Sequence, residues 1–400
     1  MIVNKETVSV MICDDSALMR NLVGRMIENA EGLELVGKAM NGRFLLQKIP
    51  RLNPDVIILD LEMPEMNGIE FLRERKELGI EIPVVILSSI AQRGARITME
   101  ALSLGAVDFI MKPSGSISED IHVVERQVVE TVYAYGLTYR RSLSEKERSR
   151  RDEERPAAAP SEQVKARPER TIIPEILRAG TTAAPGKLEP REAPSPISRE
   201  EAGPLEICAI GISTGGPNAL RIVFSELPAD FPLPIVVVQH MPAGFTTEFA
   251  KSLDRVCPLE VKEAEEGDLV RKGRILIAPG NFHISVSRRR LAAMVSLSGS
   301  ETVNGHRPSA DVLFESVAAE FGGKSLAVIM TGMGRDGARK IGEIHRMGGI
   351  TVAQDEPSSI VYGMPRVAAE LGHIQQIVSL KDMAKTLTEI AKEFAIVREG

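Results

Sequence analysis

Short apolar runs separated by polar and glycine-containing stretches recur along most of this 400-residue chain. Val8 to Cys13, Leu33 to Gly37, Val56 to Leu59, Val84 to Leu87 and Ala106 to Ile110 read as strands, with helical stretches between them. The rhythm stops near Ser144 and resumes with Ile207 to Ile210, Ile235 to Val238, Ile275 to Ala278, Leu326 to Met330 and Ile350 to Ala353. This alternation predicts an α/β chain with two doubly wound, mostly parallel sheets. In such sheets functional groups gather at the carboxyl ends of the strands. The final segment, Leu380 to Val397, opens with Ser379-x-x-Asp382 and sets Leu380, Met383, Ala384, Leu387, Ile390, Ala391 and Phe394 on one face. That spacing predicts an amphipathic helix covering the second core.

Between the two blocks the composition changes. Nine of the 24 prolines fall between Ser144 and Pro204, mixed with Ala, Glu and Arg. Such a segment buries too little apolar surface to offset its ordering entropy and is expected to be a flexible, partly extended linker. One apolar island, Ile172 to Leu177, is apolar enough to dock on another surface but reads first as a short transient turn. The chain thus divides into a first domain (1–131), a helix end and linker (132–204) and a second domain (205–400).

Apolar residues make up 43% of the chain, enough for more than one core. The net charge of −6, with Lys and Arg dispersed or interleaved with Glu, argues against nucleic acid or an anionic membrane as the main partner. Cys13, Cys208 and Cys257 are odd in number, far apart and without C-x-x-C spacing, which reads as reduced thiols of a cytosolic protein. Lys5 and Glu6 interrupt any apolar signal core, and no run approaches the ~18 residues of a spanning helix, so neither export nor membrane insertion is expected.

At the strand ends of the first block stand Asp14 and Asp15, then Asp60, Ser88 and Lys112. Three carboxylates at one sheet edge repel one another unless a hard cation binds, and Mg²⁺ suits oxygen ligands with a few waters. Lys112 supplies a cation for a phosphoryl group and Ser88 a hydroxyl to hydrogen-bond it. Along residues 7–130, VMICDDSALMR, IILDLEMPEMNG, VVILSS and VDFIMKPS resemble the receiver domain of two-component response regulators. The resemblance implies a flavodoxin-like fold in which Asp60 accepts a phosphoryl group. It also implies that Asp14, Asp15, Asp60 and the carbonyl of Glu62 arrange Mg²⁺, that Ser88 and Lys112 stabilise the phosphoryl oxygens, and that Phe109 reorients as the domain switches.

In the second block, Gly211-Ile212-Ser213-Thr214-Gly215 fits G-x-S-x-G, where small residues permit a tight strand-to-helix turn that displays a hydroxyl. A serine nucleophile needs a base and a group to orient that base. His240 closes IVVVQH, His283 follows ILIAPGNF and His306 sits in NGHRPSAD; His122, His345 and His373 lie in helical or late stretches. The candidate acids are Asp336 and Asp355, and position alone separates neither acid from the other, nor His240 from His283. A Ser, His, Asp order differs from that of the common α/β-hydrolases. TGMGRDG resembles a phosphate-cradling loop, but no G-K-[ST] follows it and G-x-G-x-x-G is absent, so nucleotide binding is the weaker reading.

AIGISTGG, VVVQHMP, GHRPSAD and MTGMGRDGA are similar to the catalytic domain of the chemotaxis protein-glutamate methylesterases, and the whole chain has that family's receiver, linker and esterase layout. The resemblance implies a Rossmann-like esterase domain with Ser213 as nucleophile, His240 as base and Asp336 as its orienting acid. It further implies an oxyanion N–H at Met333 beside the serine, with Thr214 also placed there, and positioning roles for His283 and GHRPSAD. The implied activity is a phosphorylation-activated, metal-free hydrolysis of glutamate γ-methyl esters on chemoreceptors, releasing methanol, with glutamine deamidation as a second activity. The implied partners are methylated chemoreceptors and a chemotaxis histidine kinase as phosphodonor. The competing reading is a phosphorylation-controlled receptor-binding adaptor without hydrolase activity. Ile212, where a smaller residue is common, and the long charged linker depart from the family pattern.

Overall fold

A computed structural model describes residues 7–89, 92–112, 121–153, 199–289 and 292–395. The first block runs β1 (Val8–Cys13), α1 (Ala17–Glu28), β2 (Leu33–Ala39), α2 (Gly42–Leu52), β3 (Val56–Asp60), α3 (Gly68–Glu77), β4 (Val84–Ser88), α4 (Gln92–Ser103), β5 (Asp108–Met111) and α5 (Ile121–Glu153). After a short α6 (Arg199–Ala202), the second block runs β6 (Ile207–Ile212), α7 (Gly216–Glu226), β7 (Ile235–Gln239), α8 (Phe245–Asp254), β8 (Glu260–Glu263), β9 (Leu269–Val270), β10 (Arg274–Ile277), β11 (His283–Arg288) and β12 (Ala293–Ser298). It closes with α9 (Ala310–Phe321), β13 (Ser325–Ile329), α10 (Ile341–Arg346), β14 (Ile350–Gln354), α11 (Met364–Glu370), β15 (Gln376–Val378) and α12 (Leu380–Phe394).

The first sheet is parallel with order β2-β1-β3-β4-β5. Every residue of β3 and β4 is buried, which explains their unbroken apolar runs. Residues of α1 and α5 pack on one face, and residues of α2, α3 and α4 on the other. The second sheet, also parallel, has order β15-β14-β13-β6-β7-β10-β8. One face carries α7, α8 and α12, and the other α9, α10 and α11. The central strand β6 is flanked by β7 and β13, so the chain leaves it in both directions and a crevice opens at its carboxyl end.

An antiparallel β11-β12-β9 sheet adds to the expected parallel framework. The predicted final helix forms as α12 and buries Met383, Ala384, Leu387, Ile390 and Ala391; Val397 lies outside the described residues.

The described residues up to Ser142 and from Arg199 onward form one compact unit. Of the stretch expected to be a linker, the part through Glu153 is helical. SEKERSRRDEE holds good helix formers, with Glu147 to Arg151 and Arg148 to Asp152 at i, i+4 spacing, and the first proline is Pro156. The island Ile172 to Leu177 lies outside the described residues. All three cysteines are free, with Cys13 and Cys208 buried in strands. Among the described residues no helix is long and apolar enough to cross a membrane.

Candidate functional site

Strand β6 ends at Ile212, and three intervening residues lead to the start of α7 at Gly216. Gly215 makes the turn at φ +82°, a left-handed conformation that favours glycine. The turn is held on all sides: Ser213 N–H donates to Thr331 O (3.0 Å), the Gln239 side-chain amide donates to Ser213 O (2.9 Å), and Thr331 Oγ1 donates to Thr214 O (2.9 Å). Close approach is also required of Gly332, where a Cβ would stand 2.8 Å from that of Ser213 and 2.4 Å from Met364 Sδ.

His240 follows β7 and turns its ring toward the serine. Its Nδ1 lies 3.0 Å from Ser213 Oγ and its Nε2 lies 2.8 Å from Asp336 Oδ2. With the ring proton on Nε2, donated to Asp336, Nδ1 is free to accept from the serine hydroxyl. Asp336 is 1% exposed and sits against the amino end of α9. Its carboxylate accepts from Ala310 N–H (2.6 Å), Asp311 N–H (3.4 Å), Ser309 Oγ (2.6 Å) and Asn304 Nδ2 (2.8 Å) as well as from His240. Burial alone would raise the Asp336 pKa. The His240 contact, with Ser309 and Asn304, outweighs it and holds the carboxyl well below the usual carboxylate range. A buried base-and-acid relay attached to an accessible hydroxyl can activate that hydroxyl for attack on a carbonyl.

A cavity of about 720 Å³ opens on Ser213, Thr214, His240 and Met333. Other candidates lie apart from this relay or serve other ends. His283 is buried on β11 with Nε2 2.9 Å from Glu301 O. Asp355 caps a local turn through Ser358 N–H (3.1 Å). His373 Nδ1 lies 3.0 Å from Ala338 O, His345 is on α10, and His122 is paired with Glu125 at 3.5 Å. Sequence reasoning passed over Gln239, Asn304, Ser309 and Gln354, whose side chains hold the loops. Only Asn304 and Ser309 carried a signal, since NGHRPSAD was visible as a motif.

At the carboxyl edge of the first sheet, carboxylate oxygens of Asp14, Asp15 and Asp60 lie within 4.8 Å of one another. Lys112 Nζ stands 2.7 Å from Asp60 Oδ2 and 2.9 Å from Asp14 Oδ2. Burial pushes the Asp60 carboxyl above its ordinary range, and the Lys112 contact offsets this only in part. Asp14 Oδ2 is buried, with the Lys112 ammonium as its neighbouring counter-charge. Three carboxylates converging as hard oxygen donors fit a small divalent cation. Ser88 is buried and shares a hydrogen bond with Thr98 (2.7 Å). Glu62 is exposed, and its N–H donates to Asp60 Oδ1 (3.4 Å).

The two sheets' sites are in contact through β5. Asp108 is buried, and its Oδ2 accepts from Gly215 N–H at 2.8 Å, two residues from Ser213. Tyr135 of α5 donates to the same oxygen (3.3 Å), and Asp108 Oδ1 accepts from Phe109 N–H (2.8 Å). Burial raises the Asp108 pKa to about 6, against the pull of these donors. Phe109 stacks on Phe245 of α8, with centroids 5.0 Å apart and rings inclined by 8°. Arg126, Gln127 and Thr131 of α5 line the cavity that holds Ser213.

Family models for the response regulator receiver domain and for the CheB methylesterase match residues 10–122 and 208–387. A protein-glutamate methylesterase/protein-glutamine glutaminase of Treponema pallidum is 52% identical over 403 residues, covering 98% of this chain and 99% of that protein. Its namesake in Treponema denticola is 52% identical over 390 residues, covering 98% and 100%. The crystal structure of the Thermotoga maritima CheB methylesterase catalytic domain is 39% identical and covers 46% of this chain and 98% of that one, with a TM-score of 0.46. With a receiver sheet carrying an acidic, lysine-bearing edge and an esterase sheet carrying a serine relay, the chain belongs to the protein-glutamate methylesterase/protein-glutamine glutaminase family.

Proposed function

We propose that Ser213, His240 and Asp336 carry out the chemistry by which this chain, a phosphorylation-regulated protein-glutamate methylesterase, removes methyl groups from chemoreceptor glutamates. The hydrogen-bonded chain from Ser213 Oγ through His240 to buried Asp336 is the observation that supports this most directly. Ser213 Oγ attacks the ester carbonyl as its proton passes to His240 Nδ1, and Asp336 stabilises the resulting imidazolium. The N–H groups of Met333 and Thr214 receive the tetrahedral oxyanion. His240 then returns the proton to the leaving methoxide, methanol departs, and a water activated by the same nitrogen hydrolyses the acyl-enzyme. A side-chain amide in the same position releases ammonia. His283 serves as a buried support of β11.

Asp60 accepts the phosphoryl group from a chemotaxis histidine kinase in the cytoplasm. Asp14, Asp15 and Asp60 with the Glu62 carbonyl would hold Mg²⁺, which would supply positive charge to the phosphoryl oxygens. Lys112 and Ser88 pair with those oxygens. Unphosphorylated, the receiver half rests over the cleft through Asp108 and Phe109, and phosphorylation weakens that docking.

The test is methanol release from methylated chemoreceptor membranes, with and without a small-molecule phosphodonor and Mg²⁺, for wild type and Ser213→Ala. Release that requires Ser213 and rises with phosphodonor is expected. Release undiminished in Ser213→Ala would remove the serine from the reaction.

A further inference from the structure

The sequence Val303-Asn304-Gly305-His306 folds into a two-residue turn. Val303 N–H donates to His306 O (3.1 Å) and His306 N–H to Val303 O (3.0 Å), with Asn304 at φ +53° and Gly305 at φ +79°. Two positive φ values in succession belong to the tight turn that Asn-Gly favours. Both residues that flank Gly305 face the esterase relay. Asn304 Nδ2 donates to Asp336 Oδ1 (2.8 Å) and also to Asp311 Oδ2 (2.7 Å). The His306 ring lies flat on the ring of His240, with centroids 3.8 Å apart and planes inclined by 10°.

We propose that this turn is a positioning device for the reaction: from one rigid loop, Asn304 fixes the carboxylate of Asp336 and His306 fixes the ring plane of His240. The inference rests on the reading of Ser213, His240 and Asp336 as the reacting relay. Its need follows from the chemistry. At rest His240 is held at both nitrogens, by Ser213 and by Asp336. Once Ser213 is acylated, its Oγ no longer carries a proton for Nδ1, and the ring keeps only its Asp336 hydrogen bond, about which it can swing. A flat ring packed on its face blocks that swing while leaving both edges free. The His306 ring suits the task because it stays uncharged. Burial first, and then the neighbouring His240, push its pKa down to about 4, with Asp336 opposing. The proton taken from Ser213 therefore remains on His240, and the neutral ring presents its π-face to the imidazolium.

The test uses the full-length protein with phosphodonor and Mg²⁺, and compares His306→Ala, His306→Phe, Asn304→Ala and Ser213→Ala. The readouts are kcat and KM for methanol release from methylated receptor membranes and the rate at which a fluorophosphonate labels the active serine. The expected loss in kcat for His306→Ala is about 10- to 100-fold, the scale of a displaced catalytic group, with KM changed by less than about twofold. Serine labelling should slow in parallel. His306→Phe, which keeps a flat ring without nitrogens, should recover most of both rates, and Asn304→Ala should be slowed about tenfold in kcat.

If Ser213→Ala keeps its methanol release, the relay reading beneath the inference fails. If Ser213→Ala is inactive while His306→Ala keeps wild-type kcat, the positioning role alone is overturned. A His306→Phe variant as slow as His306→Ala would overturn stacking in favour of the ring nitrogens. Should His306→Ala fail to fold by circular dichroism, His306→Phe and Asn304→Ala decide. A fast His306→Phe with a slow Asn304→Ala supports the device, and wild-type kcat in Asn304→Ala overturns it.

Discussion

Asp336 accepts hydrogen bonds on both carboxylate oxygens, Oδ2 from His240 and Ala310 N–H, and Oδ1 from Ser309 Oγ and Asn304 Nδ2. Only an ionised carboxylate accepts at both atoms; an amide must turn a donor toward one set of donors. Asp336→Asn should therefore lower kcat for methanol release by on the order of 10³- to 10⁴-fold, the cost of a base held in the wrong tautomer, with KM little changed. A loss of less than about tenfold would show that His240 needs no such partner. Because the folded pKa of Asp336 is depressed, its contribution to stability is present at neutral pH and is lost only as pH falls below the ordinary carboxylate range. Asp108 has the opposite sign. Its folded pKa is raised to about 6, so the docked arrangement is favoured at low pH and weakens as pH rises through 6. Tyr135, which faces it, has its pKa raised well above the ordinary phenol value and does not titrate in that window. A fluorophore pair, one dye on each half, should report greater opening of the unphosphorylated protein at pH 7.5 than at pH 5, and Asp108→Asn should flatten that slope. Opening on acidification would contradict the assignment. Neither aspartate's environment was legible in the sequence. Besides His240, the donors to Asp336 come from residues 304–311, and Asp108 meets Gly215 across more than a hundred positions. For the same reason spacing could not choose between His240 and His283, or between Asp336 and Asp355.

Elements were more legible where burial is uniform. β3, β4, β6, β7, β13 and β14 are buried along their whole length, so most print a continuous apolar run that stands out from the flanking helices, with β14 interrupted by buried Thr351. β8, β9, β12 and β15 mix exposed and half-buried positions and leave no such run. β11 pairs antiparallel with β12 and alternates hydroxyl with apolar side chains along ISVS, a pattern too short to separate from a loop. The turn from β6 into α7 was readable because it needs Gly215 for backbone reasons. The turn at Asn304-Gly305 carried an equally local signal, but its direction, toward Asp336 and His240, is set by where β12 ends and α9 begins. The far end of α5 shows the limit of composition as a guide. Charged helix formers continue the helix to Glu153 although the stretch is too polar to form a core.

At the scale of the molecule, the proposed phosphorylation of Asp60 must act on Ser213 through the contacts between the two halves. β5 joins the two: Lys112, just beyond its end, touches Asp60 and Asp14, while Asp108 and Phe109 within it touch the esterase half at Gly215 and Phe245. Ala95 and Met99 of α4 enter the same apolar cluster as α7 and α8, which makes α4 and β5 the receiver's face on the esterase. A shift from 99:1 closed to 99:1 open requires about 5.5 kcal/mol, far more than one stacked pair supplies, so phosphorylation is expected to shift the balance in part. An aromatic pair contributes ~0.5–1.5 kcal/mol beyond its buried area, enough to move such an equilibrium severalfold. Phe109→Ala should therefore raise methanol release by the unphosphorylated protein severalfold and narrow the stimulation by phosphodonor. It should leave the rate at saturating phosphodonor near that of wild type, because the Ser213 relay is untouched. Wild-type basal rate and stimulation in this variant would mean that the stacked contact carries none of the inhibition; a fall in the fully stimulated rate would mean that Phe109 supports the open enzyme as well.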